Sequence, residues 1–295
     1  MAYKISKIEN FDVLIIQFKY FSAKKYLLLL FAVILLPVNV LLESSKWKTL
    51  LQNIFAISFI TSIKSVLWGY TGAFITPNSL GEFPTRALNL PEGYRIKAVA
   101  IGFLGSIAQT VSVTFFGLIG LIFWQFQSIL KVYLPVLIIT FVFLLLFAWL
   151  FFRIKTFSKI FKNIHSKFLS QIYDSLQFTT SKQLIKVFFI SFFKYLFFSL
   201  QFYLILLFCG VEIPFTATLI TMPVFYLFLT YLPLINAFEV AVRSSVAIFI
   251  FGKYCNYNSL IIIAASTIFW LLNFCLPTSV GLLFGKKYGI VEKNS

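Results

Sequence analysis

The sequence predicts an all-α, polytopic helical membrane protein of about seven or eight transmembrane helices. Three observations predict it. The 295 residues are 60% hydrophobic and 20% aromatic, with 39 Phe. Only 12% are charged, against roughly 25% in soluble domains. The apolar residues gather in runs of about 20, the length that crosses a hydrocarbon core of roughly 30 Å. A soluble fold of this size could not keep so much apolar surface from water. The net charge of +16 lies mostly at the ends of the apolar runs and in one central stretch. That placement suits a protein meeting an anionic leaflet and argues against nucleic acid as a partner.

Residues 1–25 read as a cytoplasmic, amphipathic N-terminal segment. Within it, Asn10 to Phe21 carries Phe11, Leu14, Ile15, Phe18 and Phe21 at helical spacing, a pattern that suits an interfacial or connecting helix. Glu9, Asp12, five Lys and the lack of a small-residue cleavage site set it apart from a secretory signal. Residues 26–285 read as a single polytopic membrane domain. Its clear spans are Tyr26 to Leu42, Ile96 to Trp124, Val132 to Phe152, Val187 to Cys209, Phe215 to Leu232 and Leu260 to Phe284. A weaker run, Ile54 to Ile75, holds Lys64 and several Ser and Thr, so it should face other helices or water. All should be helical, because backbone groups in lipid must be satisfied within their own segment.

Between the third and fourth clear spans lies a basic cytoplasmic connection, about residues 153–186. It holds Arg153, Lys155, Lys159, Lys162, Lys167, Lys182 and Lys186 against one acid, Asp174. Residues 286–295 form a basic C-terminal tail. Four spans separate the N-terminal lysines (Lys4, Lys7, Lys19, Lys24, Lys25) from the connection, so both can be cytoplasmic. The tail also has cytoplasmic character, yet seven spans put it outside. Either the tail is tolerated there or an eighth crossing lies between Pro233 and Lys253. Cys209, Cys255 and Cys275 form no C-x-x-C pair and read as packing residues. His165 has no second His beside it, and no metal or other cofactor is expected.

Of nine acidic residues, most lie in polar stretches, and Glu43 and Glu212 mark span ends. Glu82 and Glu239 lie inside apolar or Pro/Gly-broken segments, where ionisable groups are costly and face a partner or a wet cavity. Each has an arginine four residues on, Arg86 and Arg243, which puts the pair on one helix face. Only four Arg are present, and a guanidinium keeps its charge in a low-dielectric place. The contexts match as well. Pro77, Asn78, Gly81, Glu82 and Arg86 run in the same order as Pro233, Asn236, Ala237, Glu239 and Arg243. Pro ends the incoming helix, Asn can cap the next, and Glu favours its positive end. Two such elements suggest re-entrant segments in an internal repeat, the sequence signature of a transport site. The plainer alternative is a pair of salt bridges that pin loops.

The stretch Thr76 to Phe83 with Arg86 resembles a hallmark of the lysylphosphatidylglycerol synthase transmembrane-region family, the flippase-like membrane proteins. Pro233 to Glu239, with Arg243 to Gly252, resembles its second hallmark. Asn39 to Glu43 with Lys46 and Trp47 resembles a third, at the end of an early span. The sequence departs from the pattern in having Phe238 directly before Glu239, and in having the Asn10 to Phe21 segment in place of a first span. Eleven residues follow Phe284, and the soluble aminoacyltransferase domain of larger relatives is expected to be absent, so lysyl transfer is not assigned. The resemblance implies the membrane half: binding, and translocation, of a lipid.

The leading expectation is a candidate flippase or transporter of a phospholipid or lipid-linked headgroup, with a groove lined by the two Glu-x-x-x-Arg motifs. Arg86 and Arg243 would hold a phosphate, Glu82 and Glu239 would balance them when the site is empty or bind a cationic headgroup, and Asn78 and Asn236 would line the path. Pro77, Gly81, Pro233, Gln109, Glu43, Lys46 and Trp47 are secondary candidates. Lys46 and Trp47 also read as an interfacial anchor, and Gln109 with Thr110 as interhelical hydrogen-bonding groups. The competing reading is an intramembrane enzyme, or an accessory or scaffold, acting on a lipid-linked substrate. No metal cluster or nucleophile pair supports the enzyme. Expected partners are membrane lipids, with a lipid-synthesis or glycosyltransferase protein beside them. Phe, Ile and Lys bias with helical spans points to a bacterial cytoplasmic (inner) membrane.

Overall fold

The computed structural model describes residues 23–76, 79–127, 134–161, 166–232, 239–255 and 258–288. Helix is the only regular structure among them. In chain order the α-helices are α1 (Ala23–Leu51), α2 (Phe59–Ile75), α3 (Glu82–Ala87), α4 (Glu92–Gln127), α5 (Leu134–Phe152), α6 (Ile154–Ser158) and α7 (Lys167–Gln177). They continue with α8 (Ser181–Cys209), α9 (Phe215–Tyr231), α10 (Glu239–Phe251), α11 (Ser259–Trp270) and α12 (Leu276–Tyr288). A single π-helical turn, Leu271–Cys275, joins α11 to α12 without a break.

Local chemistry sets several ends. Thr180 and Gln183 form a reciprocal capping box at the start of α8, which satisfies two orphan donors. Gly210 stops α8 in the left-handed region, φ 97°, where a Cβ would be strained. Ser58 caps α2 by accepting from Thr61 N–H.

Five helices are long and apolar enough to cross a membrane: α1, α4, α5, α8 and the continuous α11–α12 rod. Of α5 only Thr140 and Phe151 are buried, and its outward Leu, Ile and Phe side chains suit lipid contact. Directions follow from contacts. Along α1 and α8, Asn39 meets Gln201, Glu43 meets Lys194 and the Thr49 carbonyl meets Gln183. Rising numbers on one helix meet falling numbers on the other, so the two are antiparallel. The end holding the connection 153–186 is the basic end, and the other is the far end. Tyr26 packs against Phe208, which places the start of α1 at the far end.

Helices α2 and α3 form a hairpin that enters from the basic end and returns to it. Gly69 abuts Arg86, Gly72 abuts Thr85, and Asn89 donates to Ser65, so α3 runs back along α2. Helices α9 and α10 do the reverse. Glu212 N–H donates to the Tyr254 carbonyl and Phe251 packs on Phe225, so this hairpin enters from the far end and returns there. The rod after each hairpin crosses the membrane. The hairpins also exchange partners: α9 packs on α4, with Gly117 against Leu227 and Gly120 against Pro223, and α2 packs on α12, with Gly281 against Leu67. Small residues permit such close approach. The two units α1–α4 and α8–α12 thus form an inverted repeat, the arrangement found in many transporters.

The span count changes accordingly. Ile54 to Ile75 and Phe215 to Leu232, expected to cross, are the entering arms of hairpins whose short second arms return to the same side. Three crossings, not four, lie between Lys25 and Arg153, so the start of α1 is at the opposite end from the basic connection. Two crossings, α8 and α11–α12, lie between the connection and the last turn of α12. That turn therefore ends on the basic side, and no eighth crossing is needed. Asn10 to Phe21 and the tail 289–295 lie outside the described residues.

Candidate functional site

The site is built where the inner parts of α2, α3 and α10 approach α1 and α8 at mid-depth. Its first half is a closed ionic cluster. Thr76 Oγ1 accepts from Gly81 N–H at 2.7 Å and donates to the Gly72 carbonyl at 2.8 Å, which ties the tip of the α2–α3 hairpin. A Cβ on Gly81 would lie 2.6 Å from the Gly72 carbonyl oxygen, so glycine is required for this approach. Gly81, not Asn78, stands at the cap position of α3, and it offers no side-chain cap. Glu82 is the first residue of α3 and Arg86 its fifth.

Arg86 is only 1% exposed. Its Nη2 donates to Glu82 Oε1, and its Nη1 donates to Glu43 Oε1 at 2.9 Å. The guanidinium lies over the rings of Trp47 (5.5 Å) and Phe83 (5.6 Å), a geometry that favours a cation. The other oxygen of Glu43, Oε2, takes Lys46 at 2.8 Å and Lys194 at 2.5 Å. Glu43 is thus the hub of three cations drawn from α1, α3 and α8. Trp47 is fully buried and Lys46 nearly so, so the expectation of an interfacial anchor is corrected. Glu43 lies eight residues inside α1 and does not mark its end.

The second half is open. Arg243 Nη2 donates to Glu239 Oε1 at 2.9 Å, and the guanidinium lies 5.1 Å from the Phe269 ring centre. Glu239 begins α10. Nε and Nη1 of Arg243 are buried and have no hydrogen-bond partner among the described residues, a costly condition for a charged donor. Arg243 borders a cavity of about 180 Å³. Its walls include Asn39 from α1, Tyr70 from α2, Lys194 and Phe198 from α8, Glu239 and Arg243 from α10, and Phe269, Trp270, Asn273 and Phe274. The last two lie in the π-helical turn, a deviation often found at functional sites. Asn39 donates to Gln201 at 2.9 Å, and its own Oδ1 is buried without a partner.

Of the residues singled out from the sequence, the structure brings Glu43, Lys46, Trp47, Gly81, Glu82 and Arg86 into the closed cluster. It brings Glu239 and Arg243 to the cavity. Among the described residues neither Glu82 nor Arg86 lines that cavity. Gln109 lies on α4, and its buried Oε1 has no partner among the described residues. Pro77, Asn78, Pro233 and Asn236 lie outside the described residues. Lys194 was missed, although a lone Lys inside the Val187 to Cys209 run carries the same signal as the two glutamates. Asn39 carried only the resemblance of its stretch to the family, and Tyr70 and Asn273 carried no signal.

A second cavity of about 450 Å³ lies between α3, α4, α6 and α7, with walls that are almost wholly apolar. Among the described residues no group of three His, Cys, Asp or Glu could hold a metal ion. Comparison with known proteins gives one family. A family model described as the lysylphosphatidylglycerol synthase TM region matches residues 9–281. No curated protein matches the chain, and no solved structure does.

Proposed function

The chain belongs to the lysylphosphatidylglycerol synthase TM region family, and from that premise we propose that this multi-pass membrane protein binds a lipid headgroup in the Arg243 cavity and passes it between leaflets. The observation that carries the reading is Arg243 itself: a buried guanidinium at a cavity, with one carboxylate partner and two nitrogens, Nε and Nη1, that have no partner among the described residues and can donate to an oxyanion. The hairpins support it. They enter from opposite ends, and each gives the cavity wall residues, Tyr70 from α2 and Glu239 and Arg243 from α10, so each could open the cavity to one leaflet in turn. The apolar walls, Phe198, Phe269 and Phe274, leave an acyl chain in hydrocarbon while the headgroup is held.

This differs from a groove lined equally by both Glu-x-x-x-Arg motifs. Glu239 balances Arg243 when the cavity is empty, while the Arg86 cluster fixes the first hairpin. We place the basic end, with Arg153, Lys155, Lys159, Lys182 and Lys186, on the cytoplasmic side of a bacterial inner membrane. The start of α1 is then on the outside. A lipid-synthesis partner would meet the basic end, where newly made headgroups arise.

The test is translocation of a fluorescent phospholipid in reconstituted vesicles. Arg243→Gln should slow it at least roughly tenfold, the scale of one lost charge-assisted hydrogen bond. An unchanged rate in a correctly inserted Arg243→Gln protein overturns the reading.

A further inference from the structure

The charges around the cavity do not cancel, and the remainder points to the kind of headgroup it takes. In the closed cluster, Glu43 and Glu82 face Arg86, Lys46 and Lys194, two carboxylates against three cations. At the cavity, Glu239 and Arg243 balance each other. One positive charge is therefore left over among the described residues. The segments next to the motifs, 77–78 and 233–238, contain no ionisable side chain to offset it. An unbalanced charge at this depth is costly until an anion arrives.

Geometry says which cation is free to meet that anion. The Arg86 side chain is 1% exposed and the Lys46 side chain 5%, whereas Lys194 is 19% exposed and lines the cavity. Lys46 and Lys194 share the same oxygen of Glu43. If Lys194 turns from Glu43 to a ligand, Glu43 keeps Lys46 and Arg86 and is not stranded. Of the two lysines that share this oxygen, Lys194 is the one that lines the cavity, so it can turn to a ligand there without exposing a buried carboxylate. Arg243, which also lines the cavity, offers Nε and Nη1, two donor nitrogens without a partner among the described residues. Among the described residues the carboxylate lining the cavity is Glu239, which Arg243 already holds, so a ligand ammonium would find no free carboxylate among them.

We propose that the cavity selects a headgroup of one net negative charge, a phosphodiester without an accompanying ammonium, and that Lys194 sets this preference. This rests on the proposed lipid-headgroup site but goes further, since that reading alone is indifferent to headgroup charge. Lys194 acts as a second jaw to Arg243, with its four-carbon stem giving the ammonium reach. Releasing Lys194 from α1 on ligand binding also loosens the α1–α8 contact at the centre of the inverted repeat.

The experiment uses the full chain in two assays. In the first, native mass spectrometry measures retention of phosphatidylglycerol and phosphatidylethanolamine by wild type and by Lys194→Gln and Lys194→Arg. Wild type should prefer phosphatidylglycerol by roughly tenfold, Lys194→Arg should keep that preference, and Lys194→Gln should bring it within about twofold. In the second, vesicles of phosphatidylcholine with a trace of either labelled lipid report translocation. Equal retention of the two lipids by wild type, or an undiminished preference in Lys194→Gln, overturns the inference. Should Lys194→Gln fail to fold, the wild-type preference and its retention in Lys194→Arg still decide. A wild type that retains phosphatidylglycerol selectively but moves neither lipid would sink translocation and leave the charge selection standing. Loss of the bound lipid to an excess of inorganic phosphate would assign the cavity to a free anion and overturn the lipid site.

Discussion

The two Glu-x-x-x-Arg elements are alike in spacing and in their place at the start of a returning helix, yet they are different devices. Arg86 has two carboxylates, two aromatic rings and almost no exposure. Among the described residues, Arg243 has one carboxylate, one ring and two donor nitrogens without a partner beside a cavity. The difference comes from a residue outside the motif. Glu43 reaches the first arginine from α1, whereas among the described residues no acid on α8 reaches the second. Inverted repeats supply matched frames, and the third partner decides whether a frame is locked or available. A buried ion pair is weak evidence for stability in itself, so the contrast has to be tested on both stability and transport.

The largest effect should come from the hub. Glu43→Ala leaves Lys46, Lys194 and Arg86 facing a single carboxylate. Stranding buried charges in this way costs about 3–5 kcal/mol. Denaturant unfolding in detergent micelles should read a loss of that size, with α1, α3 and α8 coming apart together. A loss below about 1 kcal/mol, the range of an exposed pair, would mean the cluster is hydrated and the first element is not a lock.

Next comes the direct exchange, Arg86→Gln against Arg243→Gln. The first strands Glu82 and half of Glu43 in a dry place and should cost about 2–3 kcal/mol. The second strands Glu239 at the edge of a cavity that water can enter, and should cost about 1 kcal/mol. The transport rates should rank the other way: once corrected for folded protein, Arg86→Gln keeps most of the wild-type rate and Arg243→Gln loses most of it. Equal stability losses, or equal transport losses, would erase the distinction between the two elements.

How much of this was legible in the sequence depends on which physical signal each feature leaves. Helical class came from composition and run length, and the two motifs from ionisable residues in apolar surroundings. The inverted topology did not. Helices α2 and α9, at 17 residues each, are apolar enough to pass for spans, and only the packing of α3 and α10 back along them shows that they turn. The role of Glu43 as a hub was hidden because Asn39, Glu43, Lys46 and Trp47 look like a helix end at the interface. The helix instead runs on to Leu51, and the partners that bury Glu43 are distant in sequence, 43 residues away at Arg86 and 151 at Lys194. Lys194 itself was legible by the reasoning applied to Glu82 and Glu239. A lysine amid Phe192, Phe193, Tyr195 and Phe197 is as misplaced as an acid would be.

The smallest effect sharpens the comparison at the second hairpin's entering arm. Tyr231, the last residue of α9, shares a hydrogen bond of 2.7 Å with Thr114 on α4. It ties the last turn of α9 to α4, beside the longer bond from Tyr226 to the Phe198 carbonyl on α8, where the first hairpin has Thr76 and an ionic cluster. Tyr231→Phe removes the bond and little volume. In a membrane such bonds average about 0.6 kcal/mol, so unfolding should barely register the change. If the second hairpin moves during transport, losing this tether should alter the rate by more than the roughly threefold that 0.6 kcal/mol represents, because the tether holds one of the two positions between which the arm must shift. A rate change no larger than the stability change would mean that α9 stays seated on α4, and that any motion belongs to α10 alone.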